Sequence, residues 1–62
     1  MRLRDLLSVI QYDQKISITA KGNGRVIYHG IAGEFNPIMD SKRYVTRVYA
    51  TKFFGTLAIE VL

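Results

Sequence analysis

A chain of 62 residues is expected to form one domain spanning 1–62, and at that length only about 60% of the surface exposed by the unfolded chain is buried on folding. The composition, 48% hydrophobic and 23% charged without a single cysteine, is that of a folded domain and excludes a disulfide framework, thiol chemistry and a zinc knuckle. Nine Lys plus Arg against five Asp plus Glu leave a net charge of +4, which favours acidic partners and also serves solubility.

So small a core predicts marginal stability, which short domains offset with disulfides, a structural metal or self-association. With no cysteine, and His29 as the sole imidazole, self-association is the expected route. Apolar runs are short, as in Leu6-Leu7, Val9-Ile10 and Phe53-Phe54, far below the roughly 18 residues of a membrane span. Arg2 and Arg4 supply the basic start of a secretory signal, but Asp5, Ser8, Gln11 and Asp13 interrupt the apolar run it would need, so a cytoplasmic location is expected.

In chain order, Leu3, Leu6, Leu7 and Ile10 stand at i, i+3, i+4 and i+7, which predicts an amphipathic helix over Met1 to Gln11. A helix this short is unstable alone and has to dock on an apolar surface. From Lys15 the period becomes two: Ile16, Ile18 and Ala20 alternate with Ser17, Thr19 and Lys21 in a first strand. Gly22-Asn23-Gly24 supplies a turn, and Val26-Ile27-Tyr28 resumes the β pattern, so a hairpin is predicted. A two-residue Asn23-Gly24 loop would set Ile18 opposite His29. A three-residue loop with Gly24 left-handed would pair Ile18 with Tyr28 and Ala20 with Val26, turning Ser17, Thr19, Arg25 and His29 outward. The second register gives the more apolar inner side and is preferred.

Gly30 to Lys42 is dense in turn formers, yet it carries Ile31, Phe35, Ile38 and Met39, too many apolar groups for a solvated loop. It is expected to fold over the core or into a partner, with room for one helical turn near Ala32 to Phe35. Arg43 to Lys52 reads as a third strand, its better inner face holding Tyr44, Thr46, Val48 and Ala50 and its outer face Val45, Arg47, Tyr49 and Thr51. Thr56 to Leu62 is a fourth strand, joined to the third by Phe53-Phe54-Gly55. Its apolar character implies that this strand is covered, a second copy of the chain being one candidate. The predicted fold is α+β: a short N-terminal helix packed on a curled, small barrel-like, four-stranded antiparallel sheet.

Catalytic groupings are missing from the pattern. His29 has no orienting carboxylate nearby in sequence, and Asp5, Asp13, Glu34, Asp40 and Glu60 stand singly, so no acid–base pair, nucleophile or metal cluster is read, and no cofactor. Gly22-Asn23-Gly24 begins like a phosphate-binding glycine loop, but the residues after it form a strand rather than a helix, which favours a plain turn. The strongest constellation is Lys42, Arg43, Tyr44, Arg47, Tyr49 and Lys52, cations interleaved with aromatics along one strand and its approaches. Such a set suits a protein contact, in which Tyr and Arg are favoured, or an anionic one, in which tyrosines stack on bases and cations meet phosphates. Phe35, Phe53 and Phe54 are candidates for the apolar centre of that contact. A charged, guarded edge strand is the bland alternative.

Leu3-Arg4-Asp5-Leu6-Leu7-Ser8-Val9-Ile10, then Lys15-Ile16-Ser17-Ile18, a glycine-rich hairpin and the closing Leu57-Ala58-Ile59-Glu60-Val61 together resemble short accessory proteins carried by phages and other mobile elements of bacteria. That resemblance implies a bacterial host cell and a non-enzymatic role, such as blocking a host defence or regulatory protein or sequestering a signalling nucleotide; it assigns no residue. The expectation is therefore a homo-oligomeric, non-enzymatic binding protein that occupies a host protein. The alternative is a small basic domain that binds nucleic acid or a nucleotide through residues 42–52.

Overall fold

Alternating and helical patterning resolve, in a computed structural model that describes residues 1–35, 42–51 and 55–62, into one short helix, one 3-10 turn and four strands. The helix α1 spans Leu3–Leu7; β1 is Lys15–Ala20 and β2 is Val26–Ile31; the 3-10 turn is Ala32–Glu34; β3 is Val45–Ala50 and β4 is Thr56–Val61. Both expected hairpins form, and the helical turn falls where the sequence left room for it.

The strands lie in the order β2-β1-β4-β3, so the sheet is mixed. β1 pairs antiparallel with β2, and β3 with β4, but the central pair, β1 with β4, is parallel. The expected all-antiparallel, barrel-like sheet is thus corrected to an open one. The reason is topological. β2 and β3 run in the same direction, so after Ile31 the chain re-enters the sheet at the opposite end, where Val45 faces Val61. The second hairpin then meets the first through β4 rather than closing a ring, leaving β2 and β3 as the edges. β4 is flanked on both sides by strands of its own chain, so its edges are covered within the sheet.

One face of the sheet carries the core. Ile16 and Ile18 of β1, Ile59 and Val61 of β4, and Leu3 of α1 are wholly buried, and in register Ile16 faces Leu57 while Ile18 faces Ile59. Leu6, Leu7, Ile10, Ile27, Tyr28, Phe35, Val45 and Leu57 pack around them. The predicted stripe of α1 therefore docks as expected, although the helix is shorter than Met1 to Gln11. It stops where the Ser8 hydroxyl donates to the Asp5 carbonyl oxygen at 2.7 Å, the local bond with which serine competes against helix continuation. Its start is tied to the sheet: Leu3 N–H donates to Arg43 O (2.8 Å) and Val45 N–H to Met1 O (2.8 Å).

Two irregularities correct the predicted faces. Ile18 does pair with Tyr28, and Ser17 and His29 do face outward, but the ladder slips after Ile18, so Thr19, not Ala20, meets Val26. The turn is closed by Ala20 N–H donating to Arg25 O (2.8 Å), with Gly22 and Gly24 both at positive φ, a conformation in which a side chain is strained. Val26 is consequently left 58% exposed. In β3 a bulge between Val45 and Arg47 turns Val45 onto the core, opposite to its expected side. Thr46 at the bulge donates to both Glu60 O (3.1 Å) and Glu60 Oε1 (2.8 Å).

Candidate functional site

The second face of the sheet has no covering layer among the described residues. Register places His29, Ser17, Ala58 and Tyr49 in one row across all four strands, and Val26, Thr19, Glu60 and Arg47 in the next. In the first row the central strands contribute the small Ser17 and Ala58 and the edges the larger His29 and Tyr49, so its middle is low: Ala58 is only 7% exposed although it lies on this open side. Tyr49 and Arg47 form the raised rim on β3. The Arg47 guanidinium lies over the Tyr49 ring, 4.4 Å from its centroid, in a cation–π pairing.

Five of the six cations and aromatics read as one constellation lie among the described residues, and the fold separates them. Arg47 and Tyr49 stay together on the open face, as alternation predicted. Tyr44, expected on the inner face of the third strand, is instead exposed and clamped by the first residues of the chain: Arg2 lies over its ring at 4.7 Å and donates to its hydroxyl at 3.0 Å, and Arg2 Nη1 also donates to the Lys42 carbonyl at 2.9 Å. Lys42 is exposed beside it. Arg43 turns toward the far end of the first hairpin, its Nη1 donating to Leu62 O at 2.9 Å. Phe35 is half-buried and stacked on Tyr28, ring centroids 4.6 Å apart, where it closes the edge of the core. Lys52, Phe53 and Phe54 lie outside the described residues, as do Asn36 to Ser41 of the connection.

Sequence reasoning missed a second grouping. Lys21, Asn23 and Arg25 of the first turn face Arg43 across a cleft of about 410 Å³ that also touches Val26 and Leu62. No local pattern could have found it, because Arg43 reaches the turn only through the topology of the sheet. Among the described residues no three His, Cys, Asp or Glu side chains gather as metal ligands, and no helix is long and apolar enough to cross a membrane.

What these features define is a small α+β domain with a four-stranded mixed sheet and one short helix, open on one face. Compared with known proteins, the chain matches no family model, no curated protein and no solved structure.

Proposed function

We propose that this protein is a non-enzymatic binding protein that self-associates and acts by occupying a surface of a host macromolecule, a phage- or mobile-element-encoded factor directed at a host defence or regulatory protein. The observation that carries this reading is the exposure of β3. Every residue of this strand from Thr46 to Ala50 is exposed, including Val48, which points to the core side opposite Ile59 yet remains 42% exposed. An edge strand bare on both faces, with an Arg–Tyr cation–π pair beside it, has the makings of a protein contact: β-rich backbone to pair, an aromatic anchor and a cation.

Charge favours protein over nucleic acid on this face. Arg47 sits directly across from Glu60, so the row around Tyr49 is close to neutral, whereas a phosphate backbone selects uninterrupted positive charge. The test is the double variant Arg47→Glu with Tyr49→Ala, compared with the wild type for capture of partners from a bacterial lysate with and without nuclease. Both side chains are exposed, so the circular dichroism spectrum stays folded while nuclease-resistant capture is lost. Retained capture rejects this surface. Capture abolished by nuclease, with affinity falling steeply as salt rises, selects the nucleic-acid alternative instead.

A further inference from the structure

Hydrogen bonds define which backbone groups β3 presents at its outer edge. Thr51 N–H donates to Thr56 O and Leu62 N–H to Tyr44 O, so Thr51 and Tyr44 turn their backbone groups toward β4. Alternation along an antiparallel ladder turns Tyr49, opposite Ala58, toward β4 as well, and turns the N–H and C=O of Val48 and Ala50 to the other side. Farther back, the same outer edge is taken by the start of the chain: Val45 N–H donates to Met1 O and Leu3 N–H to Arg43 O, with Arg2 bridging Tyr44. Val48 and Ala50 lie past the bulge that follows, both exposed, and no described residue meets their outward backbone groups.

We infer that two copies of the chain pair through these groups, antiparallel and about a two-fold axis at Tyr49, which joins their four-stranded sheets into one continuous sheet. The inference rests on the self-association proposed above and gives it a geometry. Val48 and Ala50 flank Tyr49, so rotation about that residue sets Val48 of each copy against Ala50 of the other, and each such pair exchanges both of its N–H···O bonds. The edge is thus complementary to itself. Charge selects this register. Arg47 is the charged residue of β3, and pairing about Tyr49 sets it across from Thr51 of the second copy, with the two Arg47 positions about 14 Å apart along the strands. That exceeds the screening length of about 10 Å at 0.1 M salt. Pairing about Arg47 would set the two cations face to face, and pairing about Val48 would bring them to about 7 Å along the strands. On the core side the exposed Val48 gains Ala50 as an apolar neighbour. On the open side the two Tyr49 rings meet at the axis, each beside its own Arg47, so the open faces of both copies become one surface.

The experiment follows amide hydrogen exchange of the wild type as its concentration is raised through the association seen by sedimentation. It is joined to mild oxidation of single-cysteine variants, whose cross-links are unambiguous because the chain has no cysteine. The Val48 and Ala50 amides should slow on association by about tenfold or more beyond any slowing at Tyr49, whose N–H faces β4. Opposed residues of a non-hydrogen-bonded pair have Cα atoms about 4.5 Å apart, within disulfide reach. Tyr49→Cys should therefore cross-link two chains, and Arg47→Cys and Val26→Cys should not. The exchange pattern decides if loss of the ring leaves Tyr49→Cys a single chain. An associated wild type whose Val48 and Ala50 amides do not slow, or cross-linking of Arg47→Cys or Val26→Cys as ready as that of Tyr49→Cys, overturns this geometry while self-association stands. A wild type that stays a single chain at every concentration overturns both.

Discussion

Gly33 is held in the space beneath Tyr12. Its N–H donates to the Tyr12 carbonyl at 2.9 Å, and a β-carbon there would run into the Tyr12 ring. Tyr12 is 69% exposed, so its ring can swing away at a modest cost. Gly33→Ala is therefore expected to destabilise by about 1 kcal/mol, and the penalty should shrink when Tyr12→Ala is present, a coupling that a double-mutant cycle of thermal melts detects. Additive effects would mean the two residues do not press on one another. A similar fit occurs at Gly30, where the Tyr28 ring crosses over the missing side chain so that its hydroxyl donates to Ile31 O at 2.7 Å. Neither fit was legible in the sequence, where both glycines counted only as turn formers. The outward pairing of Arg47 with Tyr49 was legible, since two residues along a strand share a face whatever the strand's neighbours are.

At the scale of elements, α1 shows how little helix is required when its anchor is well placed. The Leu3 side chain is wholly buried in the core with residues of β1 and β4, while its backbone N–H donates to Arg43 O on the approach to β3, so one residue ties the helix to the sheet in two ways. Leu3→Ala is expected to cost about 2–5 kcal/mol, a large share of the stability of a domain this size, and to lower the melting temperature sharply or abolish the transition. An unchanged melt would mean the helix is not integral to the core. The apolar stripe of the helix and the four strands could be read from their periods, because periodicity reports which residues share a face. It does not report which strands are neighbours, and the parallel β1–β4 pair followed from a direction of re-entry that no local signal encodes. The two bulges escaped for a related reason: alternation assumes an unbroken ladder, whereas the ladder slips after Ile18 and again at Thr46, reversing the expected sides of Val26 and Val45. The cationic cleft shares this origin, being assembled from the first turn and a residue far along the chain.

For the molecule as a whole, the distribution of cover is uneven. The 3-10 turn and Phe35 lie beside β2, and α1 begins next to the approach to β3, while β3 itself stays exposed from Thr46 to Ala50. Five wholly buried side chains among the described residues form a thin interior, each contributing about 1.5–3 kcal/mol by burial, so removing further apolar surface from water is a direct route to stability. Association through β3 would supply it and would cover the exposed edge at the same time. Sedimentation at micromolar concentration, comparing the wild type with the double variant Val48→Lys and Tyr49→Lys, tests this most directly. A species heavier than the 7.1 kDa single chain is expected for the wild type and a folded single chain for the variant. A wild-type protein that sediments as a single chain, or a variant that associates just as well, would contradict it.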